Sequence, residues 1–244
     1  MTGRPILFLL LLAVAILPVR SQQNFSSFSF GGSLPLGDFR GMNELPIQGF
    51  ARPGTSIKFD GGYFPGSYLG IGASFSFSSH TVDADSLFSQ IVRYVKQNVD
   101  FSALEGTEFD HETGFWNAIS LFLGPLYSVR ASQRLYLDFR VLAGPTVVRV
   151  PEQTLRFSTG GGQVYTRIQD EGIFFGTTGG AGFRYRINER VALKGGLDFF
   201  RVSSRSTARY EAFFEVLGAI PDLERKMTLQ TLDFSLGLAY LLGS

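Results

Sequence analysis

The chain has 244 residues and a formal net charge of +1, and only 18% of its residues are Asp, Glu, Lys or Arg. So small a net charge offers no field for nucleic acid, and few charges beside 25 Phe and 29 Gly describe an ordered chain rather than a disordered one. Cysteine is absent, which excludes a disulfide scaffold, a thiol nucleophile, a zinc–thiolate site and a lipid anchor on an N-terminal Cys.

The first element is a targeting segment. "MTGR" is a basic start, and "PILFLLLLAVAIL" is an apolar run too short for a comfortable helical span. "PVRS" then places Val19 and Ser21 as the small residues before a signal-peptidase cut. Residues 1–21 are expected to be removed as a signal peptide, leaving 22–244 as one barrel domain; a retained anchor helix is the competing reading. After Ser21 no run of about 18 apolar residues recurs, so no further helix is expected to span a membrane.

Eight stretches then alternate with period two, the signature of strands. "SSFSFGGSLP" (26–35) sets Phe28 and Phe30 against Ser27, Ser29 and Gly31. "TSIKFDGGYF" (55–64) sets Ile57, Phe59 and Tyr63 against Ser56, Lys58, Asp60 and Gly62. "YLGIGASFSFSS" (68–79), "AISLFLGPLYSV" (118–129) and "LYLDFRVLAG" (135–144) continue the pattern. "FFGTTGGAGFRYRI" (174–187), "VALKGGLDFFRV" (191–202) and "LDFSLGLAYLLGS" (232–244) complete it. Turn-forming residues make "PGS" (65–67), "ASQR" (131–134) and "NER" (188–190) short connections. Long segments fall between, at about 36–54, 80–114, 150–172 and 203–228. Within them, helical spacing of Leu87, Ile91, Val92 and Val95 predicts an amphipathic helix over 83–99, and 209–224 reads as a second. The resulting topology is an eight-strand antiparallel meander, tight hairpins and both termini at one end, long loops at the other.

The faces are inverted for a soluble protein. In 232–242 the large residues Leu232, Phe234, Leu236, Leu238, Tyr240 and Leu242 form one row, and the other row is mostly small. A barrel in lipid explains this, with an apolar outside and a narrow, filled interior. Closure also satisfies every ladder hydrogen bond, as hydrocarbon demands. The charges follow the same parity. Lys58, Asp60, Asp138, Arg140, Arg184, Arg186, Lys194, Asp198 and Asp233 all fall on the small-residue face, five basic and four acidic, as an expected lumen ion-pair network. Arg201 alone falls on the outward row, near the start of a long segment where a polar interface accepts it. Tyr63, Tyr68, Tyr127, Tyr185 and Tyr240 gather toward the tight-turn end, as an interfacial girdle would.

With the signal peptide, "GGSLPLGDF" (31–39), "YLGIGASFSF" (68–77), "LFLGPLYS" (121–128) and the terminal strand, the mature chain resembles the small eight-stranded outer-membrane barrels of gram-negative bacteria, of the OmpA/OmpX type, and most closely the outer membrane protein beta-barrel domain group. The resemblance implies an all-β fold, an eight-stranded antiparallel up-and-down transmembrane β-barrel with short periplasmic turns and long extracellular loops. It also implies residence in the outer membrane among its lipid. The family's last strand carries the signal read by the barrel-assembly machinery, and Ser235, Gly237, Tyr240 and Leu242 match its spacing; the chain departs from the pattern by running on through Gly243 and Ser244 instead of ending on Phe.

No cofactor or metal is expected. His80 and His111, the two histidines, fall in or beside the second long segment and read as idle loop residues, and "EFDHE" (108–112) as a solvated acidic loop. "STGGGQ" (158–163) lacks a P-loop Lys, and the glycines of "GTTGGAG" (176–182) suit strand bending or close packing inside a barrel. Ser78, Ser79 and His80 near the rim leave a lipid A-modifying enzyme as the weaker alternative to a non-enzymatic envelope or adhesion protein with a loop-bound ligand. An accessory barrel of a protein secretion system is another; a soluble lipocalin-like carrier requires the reverse of these faces.

Overall fold

A computed structural model describes residues 24–41, 49–66, 68–98, 109–159, 162–168, 171–208, 211–212 and 223–242. The expected signal peptide and its cleavage site lie outside these residues. Strands whose two faces differ this sharply need two different surroundings, and the chain supplies them by closing on itself. Strands β1 (Asn24–Leu36), β2 (Gly54–Tyr63), β3 (Leu69–Thr81), β5 (Phe115–Arg130), β6 (Leu135–Arg149), β9 (Glu171–Arg186), β10 (Val191–Ala208) and β12 (Leu223–Leu242) form a closed barrel. Each covers all or nearly all of one of the eight alternating stretches, and neighbours are antiparallel in the order β1-β12-β10-β9-β6-β5-β3-β2.

Register fixes the barrel's shape. Paired positions run from Leu36 through Gln230, Arg201, Thr177, Ala143, Leu123, Ala73 and Gly61 back to Ser26, so one circuit returns to β1 ten residues from its start. That stagger on eight strands tilts them by about 40° and leaves an interior that side chains can fill. The turns at the tight end are built by short polar side chains. Asn188 Oδ1 accepts from the backbone N–H groups of Arg190 and Val191 at 2.9 and 2.8 Å. Ser132 Oγ does the same for Arg134 and Leu135.

The long segments hold more structure than their sequence suggests. β4 (Phe109–Thr113), β7 (Gln153–Thr159), β8 (Gly162–Ile168) and β11 (Glu211–Ala212) form a separate four-stranded sheet in the order β11-β8-β7-β4. The "EFDHE" stretch therefore lies largely in β4, with His111 opposite Leu155 of β7, and the ends of "STGGGQ" pair between β7 and β8, Ser158 with Gln163 and Thr159 with Gly162. A one-turn helix α1 (Gly37–Arg40) follows β1, and α2 (Ala84–Asn98) occupies the segment where helical spacing predicts it. The second expected helix, 209–224, is corrected. Glu211–Ala212 pairs with Arg167 and Thr166 of β8, and Leu223 opens β12; the residues between lie outside the described set.

The two faces are as unlike as the parity requires. Phe30, Val141, Phe234, Leu236 and Leu238 are half or more exposed on the outside, whereas Asp198 and Asp233 are buried at 1% and 6% exposure. No described helix is long and apolar enough to cross a membrane. Outward-facing Tyr63, Tyr185 and Tyr240 lie at the tight-turn end, where the Tyr68 and Tyr127 rings also meet, tilted, 6.3 Å apart. At the loop end the outward row turns polar: Arg201 is exposed one outward position beyond Phe199 and pairs in register with Gln230 and Thr177.

The seam between first and last strands depends on glycine. A Cβ on Gly237 would lie 2.0 Å from the Phe28 carbonyl oxygen and 2.5 Å from Ser29 Cα. Gly237→Val should therefore loosen the β1–β12 seam, costing about 1–3 kcal/mol through overpacking. Urea unfolding of the refolded barrel in lipid vesicles, followed by fluorescence, checks this.

Candidate functional site

The lumen is the place where ionisable groups from many strands meet. At its tight-turn end Phe25, Phe64, Leu126, Ala192, Ala239 and Leu241 form an apolar plug. The Arg184 guanidinium lies on this plug, 4.0 Å from the Phe25 ring centre and 5.4 Å from that of Tyr136. It donates two hydrogen bonds to Asp138, at 2.6 and 2.9 Å, and a third to Ser128 Oγ at 2.9 Å. Gly182 faces Asp138 across the β6–β9 pair, so the guanidinium meets no side chain there.

Above this layer runs a continuous chain of charge. Lys194 donates to Asp60 and to Ser27 Oγ. Asp60 also accepts from Ser74 Oγ at 2.6 Å and pairs with Arg140 Nη1 at 2.9 Å. Arg140 turns its Nε and Nη2 to Asp198, at 2.9 and 2.6 Å. Lys58 then links Asp198 at 2.9 Å to Asp233 at 3.1 Å. Gly180 makes the central contact possible. It is the register partner of both Arg140 and Asp198, and a Cβ there would lie 2.0 Å from Asp198 Oδ1. Arg140 reaches from β6 to β10 across a strand that offers no side chain.

Eight of the nine residues assigned to the lumen by parity make these contacts, four basic and four acidic, so their formal charges cancel. The ninth, Arg186, lies outside them. It shares the parity of Arg184 but sits at the tight-turn rim, where Nη2 donates to the Gln133 carbonyl at 3.0 Å. Strand parity gives a side chain's face and not its depth. Of the four residues expected to match the assembly signal, Ser235 is buried, Gly237 forms the seam, and Tyr240 and Leu242 face outward.

Two small cavities lie among the described lumen residues, each about 20 Å³, room for about one water molecule. Both touch Arg140, one on its serine-lined loop side and one toward the tight-turn plug. The buried Ser56 Oγ lines the first and has no protein partner.

The loop end is stoppered by a second, larger plug, which sequence reading did not anticipate. Phe39, Phe50, Val82, Leu87, Trp116, Phe122, Leu142, Phe200 and Val202 belong to it. Its sequence signal is a failure of alternation: "FW" at 115–116 and "FF" at 199–200 place large groups on both faces. The stopper is tied by segment 49–52. Trp116 Nε1 donates to the Gly49 carbonyl at 2.9 Å, and Phe50, 1% exposed, adopts φ 51°, rare for a bulky residue. The Asp83 N–H donates to the Phe50 carbonyl at 2.7 Å, and the Asp83 carboxylate caps α2 by accepting from Ser86 N–H while pairing with Arg52 at 3.1 Å. Burial raises the Asp83 pKa, but the Ser86 N–H and the Arg52 guanidinium outweigh it and hold the carboxyl below its ordinary value. Beneath this knot His80 turns to Ser33, at 3.2 Å, rather than forming a rim site with Ser78 or Ser79.

The family model described as outer membrane protein beta-barrel domain matches residues 6–240. No curated protein matches. Among solved structures, neisserial surface protein A is 10% identical, with a TM-score of 0.41 and coverage of 91% of this chain and 99% of its own. Ail, the attachment invasion locus protein of Yersinia pestis, is 13% identical, with a TM-score of 0.40 and coverage of 91% and 100%. A major outer membrane protein from Thermus thermophilus is 13% identical, with a TM-score of 0.42 and coverage of 91% and 100%.

Proposed function

Because the chain belongs to the outer membrane protein beta-barrel domain family and hence to the bacterial outer membrane, we propose that it is a non-enzymatic barrel that supports the envelope and binds a partner outside the cell through its loop-end structure. The observation that carries this reading is a division of labour. Among the described residues the lumen is filled by two apolar plugs and a charge-balanced network, with water-sized cavities beside Arg140. The long segments, by contrast, build a second sheet and a helix. Order beyond the barrel supplies a surface that a bare anchor does not need. The Ser–His contact present among the described residues, Ser33 with His80, is buried at 0% and 2% exposure, which favours no hydrolase reading. Ser235, Gly237, Tyr240 and Leu242 are proposed as the segment that the barrel-assembly machinery recognises, and the signal peptide as cleaved after Ser21.

The test removes the surface and keeps the barrel. Arg149 and Glu171 already pair at the ends of β6 and β9, so a short Asn-Gly turn can replace 151–170. The variant should keep heat-modifiable gel migration and lose most of the attachment of expressing cells to immobilised extracellular matrix. Equal attachment by cells carrying the variant, the intact chain or neither, with unchanged detergent resistance of the envelope, would rule the reading out. A change in lipid A mass on overexpression would point to the enzyme instead.

A further inference from the structure

His80 lies at the loop end of β3, opposite Trp116 in register. Its Nδ1 is 3.1 Å from the Arg52 carbonyl, its Nε2 is 3.2 Å from Ser33 Oγ, and the Phe39 ring packs edge-on at 5.1 Å. Ser33 Oγ in turn lies 2.5 Å from Asp233 Oδ1. A carbonyl oxygen only accepts, so Nδ1 must carry a hydrogen. Ser33 has one hydrogen to give, and the short contact assigns it to the Asp233 carboxylate. Nε2 can then bond Ser33 Oγ only by carrying a hydrogen itself. With Asp233 held as a carboxylate beside Lys58, the three contacts are hydrogen bonds together only when the ring is doubly protonated.

We propose that His80 is a proton-operated pin between the stopper and the lumen charges. A proton taken from solvent onto Nε2 completes a chain from the Arg52 carbonyl through the ring and Ser33 to Asp233, and tightens segment 49–52 on the barrel mouth. In the neutral ring Ser33 must serve either Nε2 or Asp233, so one buried acceptor goes without that donor and the knot loosens.

The surroundings set the balance. β12 contributes Asp233, which favours the charged ring; β2 contributes Lys58, bonded to Asp233; the knot contributes Arg52, bonded to Asp83. α1 contributes the Phe39 ring, its Asp38 and Arg40 being exposed, and β5 contributes Trp116. The eight lumen charges cancel, so no net charge repels the added proton, while burial opposes it. The sign follows: the knot is tighter below the ring's titration and looser above it.

The backbone N–H groups of residues 49–52 all donate within the knot, to the carbonyls of Asp38, Gly41, Phe39 and Thr81, so hydrogen exchange reads its opening. Nitrogen NMR of the histidine-labelled full chain in micelles reads the ring, and His111→Asn leaves a single histidine. On going from about pH 8 to about pH 5, both His80 nitrogens should become protonated and protection of 49–52 should rise about tenfold. Ser33→Ala keeps the ring–carbonyl contact and should remove the pH dependence of protection. A ring that retains one bare nitrogen down to that pH overturns the proposal. So does wild-type protection that ignores pH, or protection in Ser33→Ala that follows pH as the wild type does. The spectrum and the wild-type exchange need no variant at positions 33 or 80, so a misfolded Ser33→Ala leaves the outcome decided.

Discussion

Asp198→Ala should destabilise the folded barrel by about 3 kcal/mol, the low end of the range for removing one partner of a buried ion pair. Asp198 is 1% exposed and answers two cations, accepting two hydrogen bonds from Arg140 and one from Lys58. Its loss leaves one uncompensated positive charge in a lumen whose charges otherwise cancel. The cost stays at the low end because neither cation is stranded. Arg140 keeps Asp60 at 2.9 Å, and Lys58 keeps Asp233 at 3.1 Å. Asp198→Asn should cost less, since it retains an acceptor oxygen and fits the space left by Gly180. Glu171→Ala is the surface control. It breaks the exposed Arg149–Glu171 pair and should cost only about 0–1 kcal/mol. The chain has one tryptophan, and Trp116 lies in the loop-end plug, so its fluorescence during urea unfolding in lipid vesicles reports all three variants. Equal stability of Asp198→Ala and Glu171→Ala would show that the central charges are hydrated and not sealed.

How much of this arrangement is legible in the sequence depends on the physical rule that sets each feature. The side of the wall on which a residue lies follows from a period of two, so Leu236 outside and Asp233 inside are readable without coordinates. Contacts between strands are not local. Arg140 meets Asp198 because the stagger of the barrel brings β6 and β10 level across Gly180, and no spacing within either strand encodes that. Arg186 shows the same limit, having the right face and the wrong depth. The plugs hide for a related reason: a large inward residue such as Phe122 or Leu142 reads as noise in an alternating pattern until the mouth it fills is known. The loop-end sheet joins β4, β7, β8 and β11 from three separate long segments, and strands this short have weak local signatures.

Leu236→Arg should cost about 2–4 kcal/mol in lipid vesicles, the penalty for a cation facing the middle of the bilayer from a barrel wall. Leu236 is 58% exposed and lies in the outward row of β12 that runs from Leu242 and Tyr240, at the tight-turn end, to Leu232. Its register partners are Phe30 on β1 and Gly195 on β10, so a guanidinium there finds no carboxylate on the outer wall beside it. Gln230→Arg places the same group in the same row just beyond Leu232, beside exposed Arg201, where the wall turns polar. That substitution should cost about 0–1 kcal/mol, because the cation reaches headgroups and water. The comparison separates depth from chemistry, since both variants add one positive charge to the outside of one strand. In water-exposed detergent, or on the outside of a soluble barrel, the two would behave alike. A large difference between them in vesicles, shrinking as the bilayer is replaced by small micelles, is therefore the expected signature of hydrocarbon at Leu236, and equal costs in vesicles would remove the membrane from the outer face.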